Sequence, residues 1–248
     1  MKKAVFPVKY YAHRGLHDDK IPENSTGAFL AAKEKGFGAE LDILLDGDGN
    51  VVVFHDSNLK RMTGLDGLVW ETPRAQIEVL RLGNTTEKVP YLDELLKEVS
   101  PMPLLVELKT CPRWKTLCEK TLPLLRKYGG HVAMESFDPR IVRWFKNHAP
   151  DITRGLLLVQ YNDRNMPNAM KRRMMNSGYP IWLTKPHYLS IPEGCIDLPY
   201  VQKALKSGTA LCTWTIRSKD HREADVITFE GFLPEVAEAD ATVTEATE

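Results

Sequence analysis

Residues 39–56, AELDILLDGDGNVVVFHD, organise the prediction of both the fold and the site. Both ends of the stretch are rich in Ile, Leu, Val and Phe, which favour strands. The middle holds Gly, Asp and Asn residues typical of a tight turn, so the stretch predicts a two-stranded hairpin. If Asp46 lies opposite Val51, the register places Asp42 directly opposite His55, and directly opposed residues point to the same face.

One face of this hairpin would then carry two carboxylates and an imidazole. Glu40 shares the face of Asp42 because side chains alternate along a strand. Burying such groups unpaired is costly, so they need a partner or contact with water. A divalent cation beside a general acid or base is one solution. A surface strand with a polar outer face is the other, and the stretch alone does not separate the two.

The composition limits the classes of protein to which the chain can belong. It has 248 residues, of which 43% are hydrophobic and 27% are charged, enough for one large core or two small domains. The 33 basic residues balance the 33 acidic ones, which does not favour nucleic-acid or broad anionic-membrane binding. We expect neither a signal peptide nor a membrane-spanning helix, because residues 1–11 contain no long apolar segment.

The cysteines indicate a reducing compartment. Cys111, Cys118, Cys195 and Cys212 show no CxxC spacing. We therefore expect reduced, mostly buried thiols in a cytoplasmic protein, and neither a zinc site nor a disulfide framework.

Strand-like and helix-like segments alternate regularly after residue 103. The predicted strands cover residues 104–109, 132–137, 153–159, 181–185, 210–216 and 224–229. Residues 8–13 and the first arm of the hairpin bring the number to eight, and alternation of this length favours parallel strands. Eight such units in about 250 residues predict the α/β class and a (β/α)8 TIM barrel. Residues 1–248 would form this single domain.

Two segments fall outside the repeating units. Residues 57–90 lack a strong period and are predicted to form a small insertion after the hairpin. Residues 235–248 are rich in Ala, Thr and Glu and are predicted to be a flexible tail. A doubly wound open sheet is the alternative fold. It normally needs a Gly-rich phosphate loop after the first strand, and His13-Arg14-Gly15 is not one.

Polar residues fall at the predicted carboxyl ends of strands, where barrel enzymes build their sites. They are His13, Arg14, Glu107, Lys109, Ser136, Lys185 and Trp214. Glu107 and Lys109 are two apart on one strand, so they share a face, and Glu107 would add a third carboxylate to Glu40 and Asp42. Three carboxylates suit Mg²⁺ or Ca²⁺ better than zinc, which favours His and Cys. A simple strand-end ion pair is the alternative interpretation of Glu107 and Lys109.

Two histidines and two cations complete the candidate chemistry. His13 and His55 end different strands beside carboxylates, which favours an acid/base pair because imidazole titrates near neutral pH. Arg14 and Lys109 add fixed positive charge. With a divalent cation they would form an anion site, for which phosphate is the usual guest. Cleavage of a phosphodiester uses all these parts.

The chain also resembles the glycerophosphodiester phosphodiesterases, from His13 to about Glu230. The motifs that carry the resemblance are His13-Arg14-Gly15, Pro22-Glu23-Asn24-Ser25, Glu40-Leu41-Asp42, Asp48-Gly49, Val52-Val53-Phe54-His55-Asp56, Glu107-Leu108-Lys109, Ser136-Phe137-Asp138 and Trp214-Thr215. The resemblance implies a (β/α)8 barrel, one divalent cation, and hydrolysis to glycerol 3-phosphate and an alcohol. It implies that Glu40, Asp42 and Glu107 are the metal ligands.

The same resemblance implies roles for five further residues. His13 and His55 would be the acid/base pair. Arg14 and Lys109 would hold the phosphate, and Trp214 would contact the substrate. It also makes residues 57–90 a small insertion of the family above the barrel.

Some residues match the family's supporting positions, and some depart from its pattern. Glu23 and Asn24 match the loop after strand one and are expected to support the site. Arg217 stands where the Trp-Thr motif usually ends in Asn, and Phe229-Glu230 where the last strand usually ends in Thr-Asp. Glu135 occupies a position where a neutral residue is commoner. We expect none of these departures to touch the catalytic core, and all to lie near the non-reacting part of the substrate.

The expected reaction has two steps. One His takes the proton of the glycerol 2-hydroxyl, which attacks phosphorus, and the other protonates the leaving alcohol; water then opens the cyclic phosphate. Direct attack by metal-activated water is the rival route, and either His could act first. Three other functions stay open: a phospholipase D-like enzyme that releases a cyclic phosphate from lysolipids, a metal-dependent carbon–carbon lyase, and a non-catalytic phosphodiester-binding protein. The sequence sets neither the headgroup, the choice between Mg²⁺ and Ca²⁺, nor the oligomeric state.

Overall fold

Eight parallel strands close into a barrel in the computed structural model of the chain, which describes residues 4–235. The strands of this part of the chain are β1 (Tyr10–Ala12), β2 (Gly38–Leu45), β3 (Val51–Val53), β4 (Leu104–Leu108), β5 (Val132–Ser136), β6 (Thr153–Leu157), β7 (Tyr188–Ile191), β8 (Ala210–Ile216) and β9 (Val226–Phe229). β1 pairs in parallel with both β2 and β9, which closes the ring, and β3 joins β2 from outside in antiparallel orientation. The predicted (β/α)8 barrel is confirmed.

Helices cover the outside of the barrel. They are α1 (Thr26–Glu34), α2 (Lys60–Thr63), α3 (Arg74–Ile77), α4 (Leu92–Val99), α5 (Trp114–Lys127), α6 (Pro139–His148), α7 (Ala169–Met175), α8 (Tyr179–Thr184) and α9 (Pro199–Lys206), with single 3₁₀ turns at Val69–Glu71 and Glu193–Cys195. α1 begins where Ser25 accepts a hydrogen bond from the Ala28 N–H at 3.1 Å, as an N-cap does. No helix within residues 4–235 is long and apolar enough to cross a membrane.

The register predicted for the hairpin was wrong by one residue. Leu45 lies opposite Val51, so the partner of Asp42 is Phe54 and not His55. The turn is shorter than expected because Asp46 closes it: its carboxylate accepts the backbone N–H of Asn50 at 2.8 Å. Gly49 makes this tight loop possible, since its φ of +87° lies in the left-handed region that glycine favours.

The seventh strand was predicted in the wrong place. Residues 181–185 belong to α8, and β7 begins only at Tyr188. A short apolar run fits a buried strand or a buried helix, and Pro180 in the first turn favours the helix. Lys185 therefore follows a helix outside the barrel and does not join the other polar residues at the strand ends.

Residues 57–90 carry α2, α3 and a 3₁₀ turn, and they pack against the hairpin. The Gly47 N–H donates to the Thr72 carbonyl at 2.7 Å, and the Val53 N–H donates to the Pro90 carbonyl at 2.8 Å. Their status as an insertion within one domain stays a prediction. The predicted flexible tail, apart from Glu235, lies outside the described residues.

Two tyrosines fill the amino-terminal end of the barrel. Tyr11 and Tyr188 are fully buried, and each ring lies against a glycine of the neighbouring strand, where a Cβ at Gly38 or Gly155 would overlap it. Phe6 packs edge-on against both rings, at centroid distances of 6.4 and 5.2 Å. This tyrosine floor supports the polar residues that face the opposite end.

Candidate active site

Three buried carboxylates converge inside the barrel, toward the carboxyl ends of β2 and β4. Asp42 and Glu107 are partners across these strands, and Glu40 precedes Asp42 by two residues. One oxygen of each carboxylate lies within 4.8 Å of the other two. The three side chains that were predicted as metal ligands therefore share one small volume.

Burial works against ionisation of this cluster. Burial, followed by the charge of Asp42, raises the pKa of Glu40 well above its usual range. Burial also raises the pKa of Glu107 to about 7, although the charge of Lys109 opposes the shift. For Asp42, burial is outweighed by neighbouring cations, Lys109 foremost, and its pKa lies well below the usual range. A bound cation would relieve this crowding of negative charge.

The donor set fits a hard divalent cation. It consists of carboxylate oxygens alone, which suit Mg²⁺ or Ca²⁺ and not a metal that prefers sulfur. Asn24 donates through Nδ2 to Asp42 Oδ2 at 2.9 Å, and the backbone N–H of Arg14 donates to Glu40 Oε2 at 3.0 Å. Hydrogen bonds of this kind orient metal-ligating groups.

Strain in the loop after β1 accompanies these contacts. Arg14 and Asn24 have φ values of +54° and +55°, which side-chain-bearing residues rarely adopt. Such conformations cost about 1–3 kcal/mol each and persist where surrounding contacts hold them. The contacts of these two residues with Asp42 and Glu40 provide that hold. The supporting role expected of Glu23 and Asn24 stays a prediction.

Two cations flank the carboxylates. Lys109 Nζ lies 2.9 Å from Glu107 Oε1 and 3.2 Å from Asp42 Oδ1. Arg14 Nε lies 3.4 Å from Asp42 Oδ2 and has no hydrogen-bond partner within the described residues. The Glu107–Lys109 ion pair, considered above as an alternative, thus exists beside the carboxylate cluster and does not replace it.

His13 follows β1 and contacts a carboxylate from the far end of the chain. Its Nδ1 lies 2.5 Å from Glu230 Oε2, and Glu230 Oε1 lies 3.0 Å from Arg217 Nη2. A carboxylate at Nδ1 makes that nitrogen the donor and leaves Nε2 free to exchange a proton. The expectation that Glu230 would not touch the predicted catalytic groups was wrong, and Arg217 is connected with His13 through Glu230.

His55 follows β3 and stands at one end of a row of alternating charges. Its Nδ1 lies 2.7 Å from Asp56 Oδ1, and Asp56 Oδ2 lies 2.5 Å from Arg61 Nε. Arg61 Nη2 donates to Glu23 Oε1 at 2.7 Å, and Arg14 Nη1 donates to the same oxygen at 2.8 Å. Burial lowers the pKa of His55 against the opposing charge of Asp42, which favours the neutral imidazole. Both histidines therefore present a carboxylate-bound Nδ1.

Trp214, Glu135 and Ser136 occupy other parts of the same end of the barrel. Trp214 packs edge-to-face with Phe137 at a centroid distance of 5.6 Å, and its buried Nε1 has no hydrogen-bond partner among the described residues. Glu135 lies beside Glu107 in the register of β5 and β4. Burial, followed by the charge of Glu107, raises the pKa of Glu135 to about 8. The Ser136 hydroxyl donates to the Leu108 carbonyl at 2.6 Å, which is a structural contact.

The chain is similar to known proteins along most of its length. The model of the glycerophosphoryl diester phosphodiesterase family matches residues 13–233. The glycerophosphodiester phosphodiesterase of Caldanaerobacter subterraneus subsp. tengcongensis is 32% identical over 230 residues, which cover 86% of this chain and 87% of that protein.

Two solved structures share the fold. An Oleispira antarctica phosphodiesterase in complex with the product sn-glycerol-3-phosphate is 25% identical, with a TM-score of 0.75, and the match covers 90% of this chain and 92% of that chain. The glycerophosphodiester phosphodiesterase of Thermotoga maritima is 26% identical, with a TM-score of 0.70, and the match covers 90% of this chain and 94% of that chain.

Proposed function

Because the chain belongs to the glycerophosphoryl diester phosphodiesterase family, we propose that it hydrolyses glycerophosphodiesters to glycerol 3-phosphate and an alcohol, with one divalent cation and two catalytic histidines. One observation carries the proposal. Three buried carboxylates, two cations and two carboxylate-bound imidazoles meet at the carboxyl end of the barrel, where barrel enzymes hold their substrates. The product of the Oleispira antarctica relative is the same glycerol 3-phosphate.

Glu40, Asp42 and Glu107 would hold the cation, Mg²⁺ or Ca²⁺. When bound, it would withdraw charge from the phosphodiester and favour attack at phosphorus. Lys109 and Arg14 lie against the same carboxylates and would each donate hydrogen bonds to phosphate oxygens. The raised pKa of Lys109 keeps its ammonium group charged throughout the working range of pH.

His13 and His55 would exchange the protons. In the first step, one imidazole takes the proton of the glycerol 2-hydroxyl, whose oxygen bonds to phosphorus as the bond to the leaving alcohol breaks. The other imidazole, initially protonated, gives its proton to that alcohol. In the second step, the imidazole that gave up its proton takes one from water, whose oxygen bonds to phosphorus. The bond from phosphorus to the glycerol 2-oxygen breaks, and the other imidazole returns its proton to that oxygen. Trp214, with its unpaired indole N–H, would contact the substrate beside this centre.

Product analysis tests the reaction. Turnover of a panel of glycerophosphodiesters, glycerophosphocholine and glycerophosphoethanolamine included, should yield glycerol 3-phosphate with Mg²⁺ or Ca²⁺ and stop in excess chelator. Phosphorus-31 NMR separates this product from cyclic phosphate. Cyclic phosphate as the final product would favour the phospholipase D-like alternative, and absence of turnover across the panel would favour a binding protein. Release of glycerol 3-phosphate without a transient cyclic phosphate would favour direct attack by water.

A further inference from the structure

One surface outside the site combines exposed apolar side chains with basic ones. This α7–α8 surface comprises residues 164–185, between β6 and β7. It holds four of the eight large hydrophobic side chains that are exposed within residues 4–235: Met170 (84%), Met174 (44%), Tyr179 (43%) and Trp182 (68%). Scattered exposed apolar residues are ordinary, whereas a contiguous group of them marks an interaction surface.

The four apolar side chains form two pairs on successive helices. Met170 and Met174 are one turn apart on α7 and therefore share a face. Tyr179 and Trp182 begin and end the first turn of α8, with ring centroids 5.7 Å apart. The two helices pack on each other, so both pairs belong to one part of the surface.

The charge around this group is entirely positive in the sequence. Between Arg164 and Pro192 the chain has five Lys and Arg residues and no Asp or Glu, although the whole chain is balanced at 33 of each sign. Arg172 pairs with Asp163 at 2.7 Å. Lys171, Arg173 and Lys185 form no ion pair with any residue that the structure describes.

Two grooves extend the positive surface. A groove of about 830 Å³ brings Arg143 of α6 beside Lys171 and Met174, and one of about 630 Å³ brings Lys203 of α9 beside Trp182. The larger groove also holds one carboxylate, that of Asp138, which already pairs with Arg140 at 2.6 Å. Burial, and then the charges of Lys185 and Arg143, lower the pKa of Lys146 on the same flank.

We propose that the α7–α8 surface docks the protein onto membranes that contain anionic phospholipid. Trp and Tyr side chains favour the headgroup level of a bilayer, and adjacent Lys and Arg side chains bind anionic lipid there. Met170 and Met174 suit the flexible apolar boundary, whereas a single-stranded nucleic acid could stack on Tyr179 and Trp182 but would leave the two methionines, which offer no ring, without a partner. The chain as a whole is neutral, so the excess of positive charge at this surface does not show in the total.

The surface is connected with the candidate active site. The larger groove extends to Phe137, whose ring contacts Trp214. Docking would therefore place the rim of the site beside lipid headgroups. The docking proposal does not depend on the proposed reaction, since vesicle binding is measured without turnover.

Co-sedimentation with vesicles tests the proposal on the full chain. Vesicles of phosphatidylcholine mixed equally with phosphatidylglycerol should bind the protein, and vesicles of phosphatidylcholine alone should bind it far more weakly. Trp182→Ala should weaken binding on the order of tenfold, the scale for withdrawing a large apolar side chain. The double variant Lys171→Gln/Arg173→Gln should weaken it about 25-fold, at about fivefold for each cation.

Matched controls separate the surface from general effects. Val5→Ala removes an apolar side chain that is 80% exposed elsewhere, and Lys120→Gln/Lys127→Gln removes two exposed cations of α5. Both controls should bind like the wild type. Equal binding by all variants, or equal binding to both kinds of vesicle, would overturn the proposal. Binding of a single-stranded oligonucleotide without binding of vesicles would overturn it in favour of nucleic acid. Circular dichroism verifies that each variant is folded.

Discussion

Glu230 Oε2 lies 2.5 Å from Nδ1 of His13, although 217 positions separate the two residues in the chain. They meet because β9 pairs in parallel with β1, with Phe229 opposite Ala12. Glu230 directly follows Phe229, and His13 directly follows Ala12. Arg217, which follows β8, holds the other oxygen of Glu230. Closure of the barrel thus assembles a row of three charged or titratable groups from three strand ends.

Glu230→Gln should lower kcat about 10- to 100-fold, the usual scale for a lost partner of a functional group. The hydrogen bond from His13 foremost holds the pKa of Glu230 at about 2, so the carboxylate is charged at every working pH. Gln keeps the shape and removes that charge. Steady-state kinetics should show the loss in kcat with little change in KM. Glu235→Gln, which breaks the exposed pair with Lys219, is the control and should stay active. A larger effect on KM than on kcat would refute a role in orienting His13.

Replacement of His13 or His55 by Ala should reduce turnover about 10²- to 10⁴-fold, as expected for a lost acid or base. A substrate with a nitrophenolate leaving group should largely rescue the variant that lacks the acid and leave the other inactive, which also identifies the first base. His148→Ala, on an exposed helix end, is the control. Equal rescue of both variants would contradict separate acid and base roles.

Glu107→Gln should weaken cation binding, because it removes one of three anionic ligands. Isothermal titration with Mg²⁺ or Ca²⁺ measures the change directly. Either ion should also raise the Tm of the wild type, since it binds the folded state alone, and should raise that of the variant less. Glu119→Gln, on the exposed face of α5, should behave like the wild type. Full turnover by the wild type in excess chelator would exclude a required metal.

Glu135→Gln should reduce the pH dependence of stability above neutral pH. The pKa of Glu135 rises from 4.5 to about 8 in the folded protein. Between these values the folded state holds a proton that the unfolded chain has released, so the free energy of unfolding falls as the pH rises. Folded histidines with lowered pKa values oppose this trend only below about pH 6.5, where unfolded histidines are protonated.

Urea unfolding in chelator, at pH 6.5 and 8.5, measures this difference. The wild type should lose stability between the two values, and Glu135→Gln should lose less. Glu98→Gln, an exposed carboxyl of α4, is the control. An identical loss in all three proteins would show that Glu135 does not carry the effect.

Arg61→Gln should lower turnover by about tenfold, because it interrupts the row of charges between His55 and Arg14. Its neighbour offers a matched control: Lys60 pairs with Asp66 in an exposed contact, and Lys60→Gln should leave turnover unchanged. Turnover of one glycerophosphodiester by the three proteins is the measurement. Equal losses in both variants would indicate a general disturbance of residues 57–90.

Local sequence signals predicted the barrel and most of the candidate site. Strand and helix patterns alternate along the chain. Glu40, Asp42 and Glu107 stand in apolar strands, where an unpaired buried carboxylate would be costly, so a bound partner could be inferred. The hairpin register was missed because residues 46–50 permit turns of more than one length. Residues 181–185 were wrongly predicted to form a strand, because a short apolar run has no decisive period.

The pairing of His13 with Glu230 could not be predicted from local pattern. It depends on which strands become neighbours when the ring closes, and on Arg217 reaching the same carboxylate. Once a closed barrel is assumed, however, its first and last strands are adjacent. Glu230 could then have been placed beside His13 before any coordinates were known.

In the part of the chain that the structure describes, the tyrosine floor closes the amino-terminal end of the barrel, so the interior opens only at the carboxyl ends of the strands. Tyr11 and Tyr188 are fully buried, and Phe6 seals them from below. In the proposed reaction, substrate, water and both products would therefore enter and leave at the end opposite the tyrosine floor. On the proposed two-step route, the alcohol has to clear that end before the water of the second step can arrive. The chemistry then sets the order of departure, alcohol first and glycerol 3-phosphate last, and the closed floor gives neither product a second exit.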